Sequence, residues 1–250
     1  MHHHAAEFES FYSHSSKYYK NIIKRTLLEV DVNIVLSNSM RDVLKSIQPD
    51  ANIFVLHNAV KTYTHNSYSL SSKNIVMFGR LGKRKGVFDL LDAIKRLDGE
   101  IPEDIRFYFC GDRGEKDVEK EVERLGIEHR IGYIGWVDKE KKNSILSNAM
   151  IHCLPSYHEG LPMAILETMS LGIPNIATSI SSIPVVIRNG ENGFLITPGD
   201  IGALCVCIKK LVSDESLRLK FSKMSYEEII QGFSIKSHIE RLILIYDELI

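Results

Sequence analysis

Apolar residues occur along this chain in short unbroken runs separated by amphipathic stretches, and the alternation becomes regular from residue 75 onward. The runs Ile75–Phe78, Ile105–Cys110, Arg130–Ile134, Met150–Leu154 and Asn175–Thr178 predict strands. Between them, Gly86–Leu97, Lys116–Leu125, Lys139–Asn148 and Leu161–Leu171 have the spacing of helices. A strand that is apolar at consecutive positions is covered on both faces, which marks a parallel sheet flanked by helices. The expected fold class is therefore α/β, a Rossmann-like doubly wound parallel sheet.

A shorter unit precedes this series. Lys17–Leu28 predicts an amphipathic helix, Asp31–Leu36 a buried strand, Ser39–Ser46 one or two helical turns, and Ile53–Leu56 a strand ending at His57-Asn58. That fragment is too short to close a doubly wound domain. The polar stretch 61–73 reads as a linker. After Thr178, the turn 189–193 separates Val185–Ile187 from Phe194–Ile196, and Ile201–Leu211, Glu215–Ile230 and Ile235–Ile250 predict helices. The expected organisation is a lead at 1–16, a small unit at 17–60, a linker at 61–73, a large domain at 74–234 and a final helix at 235–250. Met1–Ala6 has three histidines and resembles a purification tag, so the lead is expected to be flexible.

The balance of 31 basic and 32 acidic residues gives no reason to favour nucleic acid as a partner. Cys110, Cys153, Cys205 and Cys207 lie in apolar runs without metal-like spacing, as free thiols in a reducing compartment would. No apolar run approaches the length of a bilayer span.

Ligands of open parallel sheets bind beyond the carboxyl ends of the strands, so the polar residues following strands carry the candidate chemistry. The first loop is Gly79-Arg80-Leu81-Gly82-Lys83-Arg84-Lys85-Gly86. Its cations suit an anion: Arg80 offers a planar fork and Lys85 a mobile point charge. The loop lacks the Gly-Lys-Ser/Thr of a P-loop and the third glycine of a dinucleotide fingerprint, and its composition also suits a solvated basic turn.

The second loop places Glu159 just before a helix and Glu167 within it. Eight residues apart is not a metal-ligand spacing. A carboxylate set in Ala-Ile-Leu-Glu-Thr-Met needs a reason to be there, which sugar or ribose hydroxyls would supply; the alternatives are a charge favoured by the helix N-terminus for Glu159 and a solvent-facing helical position for Glu167. The free N–H groups of Gly160 and Leu161 could hold a phosphate, with Pro162 pre-organised for the first helical turn before Met163. Gly111 permits close passage of a ligand, and Gly135-Trp136-Val137 could border a planar base, with Trp136 equally suited to covering the core edge. His152, inside an apolar strand, reads as a packed core histidine, and no histidine spacing predicts a metal.

Arg80 with Lys85 and Glu159 with Glu167, in that order within one parallel domain, resemble the retaining nucleotide-sugar glycosyltransferases of family 4, which have the GT-B fold. That family includes sucrose synthase and bacterial surface-polysaccharide mannosyl- and glucosyltransferases. The resemblance runs from about Asp31 to the C-terminus and is strongest over Ile75–Gly199. It implies a GT-B C-terminal donor-binding domain with a remnant of the N-terminal domain.

The reaction implied is transfer of a sugar, with retention, from a UDP-, GDP- or ADP-sugar to a sugar, lipid-linked or glycan acceptor in surface polysaccharide or glycoconjugate synthesis. No metal or other cofactor is implied. Arg80, Lys85 and Glu159 match the catalytic positions. Gly79, Arg80, Lys85, Gly111, Gly135, Trp136, Val137, Gly160, Leu161, Met163 and Glu167 match the donor-binding ones. Arg80 and Lys85 would hold the diphosphate, Glu167 the ribose hydroxyls, and Glu159 would lie near the transferred sugar. The implied location is cytoplasmic, at the inner face of the membrane for the full-length protein.

Two departures stand out. Only residues 17–60 resemble the end of an N-terminal domain, so the chain is expected to be a truncated donor-binding fragment that transfers poorly. Part of the apolar stripe Ile239, Leu242, Ile243, Tyr246 and Leu249 on its final helix, with the strand edge at Ile34–Leu36, is then expected to be exposed, mobile or buried by self-association. Ser181-Ser182-Ile183-Pro184-Val185 also replaces the family's usual Gly-Gly-x-Pro-Glu. A GT-B epimerase or phosphorylase, and a non-catalytic nucleotide-binding or interaction module, remain alternatives.

Overall fold

A computed structural model describes residues 1–3 and 8–249. Of the expected tag, His4, Ala5 and Ala6 lie outside the described residues, as does Ile250 at the expected end of the last helix.

The small unit comprises β1 (His2–His3), α1 (Phe8–His14), α2 (Lys17–Glu29), β2 (Asn33–Val35), α3 (Asn38–Ile47) and β3 (Ile53–Val55). Ser16 and Ser37 accept hydrogen bonds from the backbone N–H groups of Tyr19 and Met40, capping α2 and α3. The strands form a parallel sheet in the order β1-β2-β3. Successive residues of β2 face opposite clusters: Val35 packs with Leu27, Leu44 and Ile47, and Ile34 with Val32, Leu56 and Ile245.

This arrangement departs from the expected flexible lead. His2 and His3 pair in register with Ile34 and Val35, and Phe8 and Tyr12 pack on the cluster around Leu44. β2 is therefore central, and its expected exposed edge is covered.

The large domain contains β4 (Asn74–Phe78), α4 (Val87–Leu97), β5 (Arg106–Cys110), α5 (Glu115–Leu125), β6 (Ile131–Gly135), α6 (Lys139–Ser147), β7 (Ala149–Leu154), α7 (Met163–Ser170), β8 (Asn175–Thr178), α8 (Ile183–Val186), β9 (Gly193–Ile196), α9 (Ile201–Ser213) and α10 (Glu215–Gly232). Its six strands are all parallel, in the order β6-β5-β4-β7-β8-β9. The chain first builds outward from β4 to β6, then returns to pair β7 on the other side of β4. This reversal opens a crevice beyond Phe78 and Leu154. Ile75 and Met77 join the cluster beneath α4, α7 and α9, whereas Val76 and Phe78 pack toward Ile145 and Leu146 of α6. Both sheet faces are thus covered, as the unbroken apolar runs require.

Val185 and its neighbours form the short α8, with Ile183 and Val186 buried, so the turn after it joins a helix to a strand. The final helix, α11 (Ile235–Asp247), returns to the small sheet. Its Leu242 and Ile245 pack beside Ile34, Phe54 and Leu56, while Ile239, Ile243, Leu244, Tyr246 and Leu249 are exposed. The expected stripe is therefore divided: Leu242 is covered, and Ile239, Ile243, Tyr246 and Leu249 are not. No helix among the described residues is long and apolar enough to cross a membrane.

Candidate functional site

The loops after β4 and β7 meet at the strand-order reversal and are tied together repeatedly. Tyr157 N–H donates to the Arg84 carbonyl at 2.8 Å, and Arg84 Nη1 donates to the His158 carbonyl at 3.0 Å. Tyr157 Oη donates to Asp89 Oδ2 at 2.8 Å, binding the second loop to α4. Lys85 Nζ donates to Glu159 Oε1 at 2.6 Å, with only 12% and 7% of the two side chains exposed. Two residues assigned from sequence to separate parts of a ligand are therefore joined to each other.

Gly86 makes this junction possible, and Gly111 lets the end of β5 close on the first loop. Gly86 has φ +71°, and a Cβ there would lie 2.0 Å from the Pro155 carbonyl oxygen. At Gly111 a Cβ would lie 1.8 Å from the Gly79 carbonyl oxygen. Sheet pairing continues past the strands, with Gly79 N–H donating to the Cys110 carbonyl at 3.0 Å and Gly111 N–H to the Gly135 carbonyl at 2.9 Å.

The resulting cleft has a volume of about 570 Å³. Among the residues predicted from sequence, Gly79, Arg80, Lys85, Gly111, Trp136, Val137, Glu159, Met163 and Glu167 line it. Arg80 is exposed and pairs with no carboxylate among the described residues. Trp136, 65% exposed, stands at the cleft edge rather than over the core, and its carbonyl accepts from Tyr133 Oη at 2.6 Å.

Three predicted residues do not line the cleft. Gly135 supports the Gly111 strand end, Gly160 stands outside the lining set, and Leu161 is buried. The expected helix start is displaced because Pro162 occupies the cap position and α7 begins at Met163. The Leu161 carbonyl accepts from Asn58 Nδ2 at 3.1 Å, linking this turn to the segment after β3.

Lys142 was not among the residues predicted from sequence. It lines the cleft and donates to Glu167 Oε2 at 2.5 Å, and the Glu167 side chain, 34% exposed, faces the open cleft rather than the core. A signal was present: Lys142 lies three and four residues before Ile145 and Leu146, the buried positions of α6.

Beneath the cleft, His152 is fully buried and its Nδ1 lies 2.6 Å from Asn175 Oδ1. Asn175 Nδ2 donates to the Ile173 carbonyl, so the Asn175 oxygen accepts from a protonated Nδ1. Burial lowers the imidazole pKa from 6.5 to about 4, and nearby Lys85 and Lys142 add to the effect against the Asn175 hydrogen bond. His152 is a neutral core residue, as its setting in the sequence predicts. At the departure after β8, Ser181 has φ +49°, a conformation that favours glycine. Among the described residues, no group of three or more His, Cys, Asp or Glu could hold a metal.

A doubly wound parallel sheet beside a smaller parallel sheet has the architecture of GT-B proteins. Residues 65–228 match the model for "Glycosyl transferases group 1", and the chain belongs to that family. It is 30% identical over 161 residues to the lipopolysaccharide core biosynthesis glycosyltransferase LpsE of Rhizobium meliloti, covering 64% of this chain and 45% of that protein. It is 25% identical over 239 residues to the N-acetyl-alpha-D-glucosaminyl L-malate synthase of Bacillus anthracis, covering 90% and 62% of the two chains.

The alignments with these two relatives therefore span 45% and 62% of their lengths. Sucrose-phosphate synthase from Thermosynechococcus elongatus superposes with a TM-score of 0.83 at 18% identity, covering 99% of this chain and 67% of that one. Anabaena HepE in complex with UDP and glucose gives 0.81 at 19% identity, with 98% and 70% covered. At these identities the structures establish the shared fold.

Proposed function

We propose that this chain is the donor-binding part of a retaining glycosyltransferase that uses a nucleoside diphosphate sugar. The observation that carries the reading is the convergence of Arg80, Lys85, Glu159 and Glu167 on one cleft at the strand-order reversal. UDP in the HepE complex gives the reading further support.

Breaking the bond between the sugar and the diphosphate leaves negative charge on the departing phosphate as the anomeric carbon becomes cation-like. Exposed Arg80 would meet that charge with a planar fork. Lys85 has three donors, one of which is directed to Glu159, so it can hold phosphate while keeping that carboxylate in place. Glu159 then borders the transferred sugar, and Glu167 accepts from the ribose hydroxyls. Trp136 and Val137 border the base. Glu159 and Glu167 act in binding and orientation rather than as a hydrolase's nucleophile and acid.

The acceptor in this reading is a sugar, lipid-linked or glycan hydroxyl in polysaccharide or glycoconjugate synthesis. The location in this reading is cytoplasmic, peripheral at the inner face of the membrane for the full-length protein. Residues 17–60 represent part of an acceptor-side domain, and the exposed face of α11 is where self-association would occur. Calorimetry with UDP, GDP and ADP, with and without chelator, tests donor binding. Saturable binding of at least one without metal is expected; no binding by folded protein, or strict magnesium dependence, defeats the reading.

A further inference from the structure

The cleft contains a cation to which the proposed function gives no task. Lys142 Nζ is 2.5 Å from Glu167 Oε2 and 5.5 Å from the centroid of the Phe78 ring, another cleft residue. The Lys142 and Glu167 side chains remain 31% and 34% exposed, so their pair forms a wall of the cleft accessible to a ligand. Neighbouring Lys141 is directed elsewhere, with its ammonium 3.5 Å from the Tyr133 ring centroid. Each glutamate of the candidate site thus has its own lysine: Lys85 from the first loop for Glu159, and Lys142 from α6 for Glu167.

We infer that Lys142 is a positioning residue that sets the Glu167 carboxylate for recognition of the ribose diol, an inference that rests on the cleft being a nucleoside diphosphate site. A glutamate side chain has several freely turning bonds and would otherwise become ordered only when ligand arrives. The ammonium fixes one oxygen before binding, and the Phe78 ring favours the cation's position. Glu167 Oε1 receives no protein donor among the described hydrogen bonds, so it can accept from a ribose hydroxyl.

The test measures binding by calorimetry for the unchanged chain and for Lys142→Met, Lys142→Arg, Glu167→Gln and the Lys142→Met/Glu167→Gln double variant. UDP, GDP and ADP identify the preferred nucleotide, and its 2',3'-dideoxy form reports the ribose contribution. Lys142→Met should weaken the ribonucleotide about 10-fold, the scale of one charge-assisted hydrogen bond, while changing the dideoxy form about 2-fold or less. Lys142→Arg should recover most of the ribose preference, and the double variant should bind no more weakly than Glu167→Gln.

Equal loss for both nucleotide forms would reduce Lys142 to a general electrostatic role and overturn the inference. So would folded Lys142→Met with an unchanged ribose preference. Failure of the unchanged chain to bind any of the three nucleotides would remove the donor site itself, and the positioning role with it.

Discussion

The Lys85–Glu159 pair makes opposite demands on stability and binding. Removing one charge leaves the other largely buried, so Lys85→Met should cost about 3 kcal/mol in a urea unfolding titration. Adding Glu159→Gln should restore much of that stability without restoring diphosphate affinity. Arg80, which pairs with no carboxylate among the described residues, should behave differently: Arg80→Ala should lower diphosphate affinity about 10-fold with little change in stability or nucleoside binding.

His152 gives a pH signature of its own. Its folded-state pKa of about 4 lies below the ordinary 6.5, so the unfolded chain takes up the proton first as pH falls. Stability associated with this residue is therefore present above pH 6.5 and declines toward pH 4. Between pH 7 and pH 5 the unchanged chain should lose about 2 kcal/mol more than His152→Gln in paired urea titrations. Equal losses would locate the acid sensitivity at other groups.

At the scale of elements, the contact between strand ends is as important as the strands themselves. Gly111→Ala places a methyl group against the Gly79 carbonyl, with backbone rather than a flexible side chain in its way. A fall in melting temperature of at least about 5 °C and loss of nucleotide binding are expected together, because the loop bearing Arg80 must move. Calorimetry and thermal unfolding of the same sample check this.

The large-domain strands were legible because each is a buried apolar run ending at a polar or glycine-bearing loop. The two site loops were legible because they follow those strands. The lysine pairings were not, since the partners of each pair are far apart in sequence and folding alone brings them together. Lys142 also sits among Lys139, Glu140 and Lys141, where composition suggests a solvated surface and only helical phase separates it from its neighbours. His2–His3 is too short to show periodicity, and its pairing depends on the edge of β2. The sequence predicts Pro162 in the first helical turn, whereas it occupies the cap and the helix starts past Leu161.

The whole molecule is organised by a bridge between the two segments that join the sheets and by the return of α11 to the small sheet. Val60 forms a parallel bridge with Ser234, and α11 then places Leu242 and Ile245 against Ile34, Phe54 and Leu56. Ile245→Asp should therefore cost about 3 kcal/mol and increase hydrogen exchange in both α11 and β2, whereas exposed Ile243→Glu should leave exchange and stability nearly unchanged. Exchange measured by mass spectrometry distinguishes these outcomes.

The polypeptide passes between the two sheets twice, and where the passages meet they lie side by side. Val60 N–H donates to the Phe233 carbonyl at 2.9 Å, and Ile235 N–H donates to the Val60 carbonyl at 3.2 Å. Two struts set far apart would resist turning in every direction; joined passages act as one strap, softest to rotation along its own line. Asn58 lies two residues from Val60 and grips the Leu161 carbonyl immediately before Pro162. The strap is thereby tied to the turn that opens α7, the helix that carries Glu167.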